Sequence, residues 1–146
     1  MTQEKTTIVR LRAVIIYEGK LLVVKHTGVS GNATALPGGK LEFGEDLQKG
    51  MERELVEELG VAPVLGRLLY VNNWVHDDEQ NIEFFFEVTN GREYFETEVL
   101  KGTHSFEISE VLWISPQEEN TLLPKQFSED FKNGVVFTEG TKFINK

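Results

Sequence analysis

Leu47, Met51, Leu55 and Leu59 recur at every fourth position, the interval that lays an apolar stripe along one side of an α-helix. Glu45 and Asp46 stand just ahead of the stripe, where a helix start favours negative charge. Gly60 follows it, where glycine takes the left-handed conformation that ends a helix without a Cβ penalty. The spacing predicts a helix over about residues 45–59. Gly50 lies inside it, at a cost of about 1 kcal/mol relative to alanine, and reads as a close-packing position.

Elsewhere the pattern favours strands. Residues 7–16 (TIVRLRAVII) and 21–25 (LLVVK), split by Glu18-Gly19-Lys20, predict a β-hairpin. Residues 62–75 read as strand, with a turn at Asp77-Asp78-Glu79. Residues 81–89 give the strongest strand signal, with Ile82, Phe84, Phe86 and Val88 on one face. Residues 110–115 form a further strand. The small polar run 27–35 predicts a mobile loop, and 90–104 an irregular one. Residues 115–119 and 124–132 suggest helical pieces, with Pro124 at a helix start. Residues 133–146 fit either a short strand or a loose tail. Strands on both sides of the first helix, with a late helix, predict an α/β fold with a mixed sheet between helices.

The length of 146 residues suits one domain, spanning 1–146, with one sizeable core. There are no cysteines, which excludes disulfides and thiolate metal sites. The polar start MTQEKTTIVR has no apolar core of a secretory signal. No apolar run reaches the ~20 residues needed to span a bilayer. The expectation is a cytoplasmic protein without membrane partners. A net charge of −9 disfavours non-specific binding to nucleic acid, but not a small phosphorylated substrate.

Charge placement carries the chemistry. Glu54, Glu57 and Glu58 gather on one side of the predicted helix. Like charges at such spacings repel by roughly 0.2–0.5 kcal/mol per pair. A hard divalent cation such as Mg²⁺ relieves this, since it takes oxygen ligands and combines carboxylates with substrate phosphates.

The spacing is also specific. Gly39 is followed after five residues by Glu45, then after seven by Arg53-Glu54-Leu55, then by Glu57-Glu58 and Gly60-Val61. This resembles a complete Nudix box, the signature of the Nudix hydrolases or MutT-like proteins, over 23 of 146 residues. Leu36-Pro37-Gly38-Gly39 ahead of it and Glu110-Val111-Leu112-Trp113-Ile114 after it are similar to the family too. The resemblance implies a Nudix-type α/β/α sandwich and cleavage of a diphosphate linkage with Mg²⁺ or Mn²⁺. It implies that Glu57 and Glu58 bind metal, that Glu54 is a ligand or the base, and that the Gly38 carbonyl completes the set. Arg53, Glu45 and Gly39 would support these groups. A further glutamate outside the box often serves as base in the family; Glu107 best matches it, with Glu98 and Glu110 as rivals.

Other residues are open to two readings. Trp74 and Phe85 either stack a nucleobase or pack in the core. Arg10 and Lys25 either touch phosphate or face water. His26, His76 and His104 lack metal-site spacing, and Trp113 reads as core. The substrate expected is a small nucleotide, with nucleoside triphosphate pyrophosphohydrolase as the default activity. The proline that marks ADP-ribose enzymes and the tyrosine that marks dinucleoside-polyphosphate enzymes are both missing after the box, where His76 and Asp77-Asp78-Glu79 stand. Alternatives are a nucleotide-sugar or dinucleoside-polyphosphate hydrolase, an RNA-end pyrophosphohydrolase, or a non-catalytic nucleotide sensor. A homodimer is compatible with all of these.

Overall fold

A computed structural model describes residues 4–27, 33–97 and 108–145. In chain order the elements are β1 (Thr6–Tyr17), β2 (Lys20–His26), β3 (Gly38–Lys40), α1 (Leu47–Leu59), β4 (Leu65–His76), β5 (Glu79–Val88), α2 (Gly91–Glu96), β6 (Ile108–Ile114), α3 (Lys125–Lys132) and β7 (Lys142–Asn145). The sheet runs β6-β2-β1-β5-β4-β7, with β3 also paired to β1. It is mixed: β1–β5 and β4–β7 are parallel and the other pairs antiparallel.

The expected hairpin forms only at its tip, where Ile16 faces Leu21 and Tyr17 faces Lys20. The rest of β1 turns to other partners, Arg10–Arg12 to β3 and Thr6–Ile15 to β5. Alternation along β1 then divides the core. Leu11, Ala13 and Ile15 join Met51, Leu55 and Leu59 of α1 with Phe86 and Val88. Val14 faces the opposite side, with Tyr70, Phe85 and the α3 residues Phe127 and Phe131. Helices thus cover both faces of the sheet, an α/β/α sandwich.

Helix α1 starts after Asp46, whose carboxylate accepts from the Lys49 amide at 2.8 Å, and ends at Gly60 in the left-handed region (φ 79°). Gly50 is a close-packing position: a Cβ there would lie 2.7 Å from Leu11 Cδ1 and 2.8 Å from Leu41 Cδ1.

Two expectations need correction. Part of the segment expected as an irregular loop is the short helix α2. Six residues are too few to show helical periodicity; Tyr94, 1% exposed, fixes the turn by donating to the Val61 carbonyl at 2.6 Å. Residues 115–119 form a turn rather than a helix, with the Glu118 carboxylate accepting from the Ser115 amide at 3.2 Å. Within 27–35, Ala35 bridges to Val24, while residues 28–32 lie outside the described set. Trp113 is partly buried at the margin of the α1-side core, 5.2 Å from the Phe95 ring.

Of the expected tail, Lys142–Asn145 form the strand β7. Lys142 of β7 donates to Asp130 of α3 at 2.9 Å, and Tyr70 of β4 donates to the same carboxylate oxygen at 2.6 Å. Burial pushes the Asp130 carboxyl up, but its bonds from Tyr70, Lys142 and Gln126 outweigh this and hold it below the ordinary range.

Candidate active site

Gly38 and Gly39 bring β3 against α1. The Gly38 amide donates to Glu58 Oε1 at 3.0 Å, and Glu58 is 2% exposed. Gly38 has φ +147°, and a Cβ there would lie 1.9 Å from the Leu11 carbonyl oxygen. A Cβ on Gly39 would lie 2.6 Å from the Glu54 carboxylate. The two glycines therefore let the backbone approach the acidic face of α1 more closely than any side chain permits.

Arg53 organises the remaining acids. Its Nε and Nη2 donate to the two oxygens of Glu45 at 2.7 and 3.0 Å, a two-pronged pair. Its Nη1 donates to Glu54 Oε1 at 3.1 Å and Glu57 Oε2 at 3.0 Å, and Nη2 also reaches the Lys40 carbonyl at 3.1 Å. The bond from Arg53 holds the Glu45 carboxyl below its ordinary range, and Glu45 in turn raises Arg53. The repulsion expected among the helix glutamates is thus offset in part by a cation of the chain itself. Among the described residues, no three His, Cys, Asp or Glu side chains are closed around a common metal position; the guanidinium draws Glu54 and Glu57 to itself instead.

The donor set nonetheless fits a hard divalent cation. It consists wholly of oxygens, from Glu54, Glu57, Glu58 and the Gly38 carbonyl, the ligands that Mg²⁺ and Mn²⁺ take. The bond from the Gly38 amide holds the buried Glu58 carboxylate at the residue that carries that carbonyl.

Lysine at position 53 would keep the charge but lose the planar fork. Arg53→Lys is expected to lower kcat/KM about 10- to 100-fold, the usual cost of losing a group that orients metal ligands. Steady-state kinetics and melting together check this; a folded lysine variant as active as wild type would remove Arg53 from the machinery.

The other expected site residues fare differently. Phe85 is not a stacking residue. It is 1% exposed, with the Tyr70 and Phe127 rings 5.8 and 5.7 Å away. The alternation of β5 turns it under α3, where no ring face is open to a ligand. Trp74 does line a cleft of about 480 Å³, with its Nε1 donating to Glu83 Oε1 at 3.2 Å. Glu107, Glu98 and His104 lie outside the described residues. Glu110 is exposed and pairs with Lys25 at 3.5 Å. Arg10 donates to Asn81 Oδ1 at 3.0 Å. His76 lies at the cleft rim, 3.4 Å from Asp77.

The cleft also contains residues that sequence reasoning missed: Arg12, Asn72 and Glu83. Glu83, 8% exposed, accepts from Asn72 Nδ2 at 2.9 Å and Arg12 Nε at 3.0 Å. A signal was available, since period-two alternation puts Arg12 with buried Val14, and Glu83 with Phe85. Charged residues on a buried face call for an explanation.

A family model for the NUDIX domain matches residues 8–133. The chain belongs to the Nudix family. It is a hydrolase acting on pyrophosphate bonds, of a family that acts on small nucleotides and generally uses divalent metal ions. Solved structures show the same fold. A MutT protein from Methanosarcina mazei Go1 is 28% identical, with 90% of this chain and 95% of that one covered and a TM-score of 0.69. A MutT protein from Bacillus halodurans is 20% identical over 94% of this chain and 89% of that one, with a TM-score of 0.71. An ADP-ribose pyrophosphatase from Streptococcus suis 89-1591 is 16% identical over 97% and 100%, with a TM-score of 0.65. Among the described residues of this Nudix hydrolase, no helix is long and apolar enough to cross a membrane.

Proposed function

We propose that this Nudix hydrolase is a nucleoside triphosphate pyrophosphohydrolase that uses Mg²⁺ or Mn²⁺. The observation that carries the reading is the cluster of Glu54, Glu57 and Glu58 held by Arg53 and Gly38, joined through β1 to a cleft walled by Trp74. Arg12 stands opposite Gly38 in the β1–β3 ladder, so the cleft and the acidic cluster meet at the start of β3.

Glu57, Glu58, Glu54 and the Gly38 carbonyl would hold the divalent ion. When bound, such an ion neutralises phosphoryl oxygens and lowers the pKa of attacking water. The residues supply the rest. Arg53 fixes the rotamers of Glu54 and Glu57, and Glu45 fixes Arg53. Trp74 offers its indole face to a base, a contact worth about 1–3 kcal/mol. Glu107 takes the water's proton in this reading, with Glu54, Glu57, Glu98 and Glu110 as the alternatives.

The test is a screen with Mg²⁺ and with Mn²⁺ across nucleoside triphosphates, nucleotide sugars, ADP-ribose, dinucleoside polyphosphates and triphosphorylated RNA. The expected result is highest kcat/KM on a nucleoside triphosphate, releasing monophosphate and diphosphate. A sugar nucleotide or RNA end as the best substrate would replace this assignment.

A further inference from the structure

Glu83 and Arg12 form an ion pair on neighbouring strands, β5 and β1, with side chains 10% and 18% exposed. The pair borders the cleft. A volume of about 480 Å³ lies within the size range of small-molecule sites. The bonding of the pair is also incomplete. A carboxylate offers about four lone-pair sites, and Glu83 uses them for Asn72, Trp74 and Arg12. Among the described residues one site remains, on the oxygen that accepts from Arg12. A guanidinium carries five N–H donors; Arg12 directs Nε to Glu83 and Nη1 to the Leu36 carbonyl at 3.4 Å. Among the described residues, Arg12 donors therefore remain beside an acceptor. Trp74, tied to Glu83 through its Nε1, is set in the same wall.

We propose that Arg12 and Glu83 read the hydrogen-bonding edge of a nucleobase and select a lactam edge, a carbonyl beside a ring N–H. Guanine, hypoxanthine and uracil carry that edge; adenine and cytosine carry an amino group beside a bare ring nitrogen. The guanidinium donates to the carbonyl, and the carboxylate's remaining site accepts the ring N–H. Adenine would set its amino group against the Arg12 donors and leave buried polar groups unpaired, the arrangement that discriminates most strongly. The inference rests on the nucleotide reading above and narrows its substrate class.

The experiment measures binding of nucleoside monophosphates without metal, so that it does not depend on hydrolysis. Inosine and adenosine monophosphates differ only at the edge in question, and uridine and cytidine monophosphates provide a second pair. By calorimetry, wild type is expected to prefer inosine over adenosine monophosphate by roughly 5- to 150-fold, the discrimination of a good two-pronged base contact. Uridine should be preferred over cytidine monophosphate in the same direction. Glu83→Gln is nearly isosteric and replaces one acceptor by a donor, so the preference should fall to within about twofold. Arg12→Lys keeps the charge, loses the fork and should lower the ratio as well. Melting curves confirm that both variants are folded. A merely structural pair would weaken all four ligands alike and leave the ratios intact, and that result overturns the proposal. Wild-type ratios near one overturn it too. Lactam-selective binding in a protein that hydrolyses no nucleoside triphosphate would uphold the reading pair and refute the assigned reaction.

Discussion

Glu57→Gln is expected to remove nearly all turnover while leaving the protein folded. The Glu57 carboxylate accepts from Arg53 Nη1 at 3.0 Å, and its side chain is 23% exposed. A glutamine carbonyl can keep that bond, so the change is confined to one negative charge at the proposed metal position. Ion pairs of this exposure contribute about 0–1 kcal/mol to stability, and melting should move by no more than a few degrees. The charge matters far more to the reaction, where metal stabilisation of the transition state supplies several kcal/mol. A loss of about 10²- to 10⁴-fold in kcat/KM follows at one decade per 1.36 kcal/mol. Titration with Mn²⁺ should show weakened metal dependence in the same variant. Activity within about threefold of wild type, less than 1 kcal/mol of barrier, would show that the Glu57 carboxylate is not at the reacting centre.

Gly38→Ala is expected to damage fold and activity together. Its backbone lies at φ +147°, and the added Cβ would be placed 1.9 Å from the Leu11 carbonyl oxygen. That atom is main chain in a buried strand, so relief requires β3 to move away from β1. Dihedral strain alone costs about 1–3 kcal/mol. With displacement of β3, a total of roughly 3 kcal/mol or more is expected, a drop in Tm of about 10 °C for a domain of this size. The same displacement carries the Gly38 amide away from Glu58, so residual folded protein should be poorly active. Gly19→Ala is the control. Gly19 also has positive φ (+76°), but nothing lies within 4 Å of its added Cβ. It should cost only about 1–2 kcal/mol and leave activity intact. Equal effects in the two variants would show that positive φ, rather than the approach of β3 to β1, is what position 38 requires.

The helix was readable because its information is local. The four-residue interval of Leu47, Met51, Leu55 and Leu59, the negative charge of Asp46 at the start and the Gly60 stop all fall within fifteen positions, about four turns. The box spacing placed Arg53 and the glutamates on that helix for the same reason. Phe84-Phe85-Phe86 shows where local reading fails. Alternation puts Phe85 on the face opposite Phe84 and Phe86, but only the packing of α3 distinguishes a buried Phe85 from a ring available to a base. Helix α2 was too short to leave a periodic trace, and its cause, Tyr94 reaching Val61, spans 33 positions. The cleft was least legible. Alternation sets Arg12 and Glu83 apart as charges on an apolar face, but only the parallel β1–β5 register and the antiparallel β4–β5 register bring them together with Asn72.

That parallel register has a kinetic consequence. Arg12 and Glu83 are 71 positions apart, and Arg10 and Asn81 likewise. Pairings between such distant segments require closing a long loop before any bond repays the lost entropy, so they form late and slowly. Helix α1 can begin to form from its own local sequence, yet the strand that seats Gly38 against it is the same strand that waits for β5. A half-folded chain would therefore possess the acidic helix without the β3 strand that positions Glu58 or the cleft floor. Recovery of catalysis during refolding would then report on the joining of distant halves of the chain, while early helical signal would not.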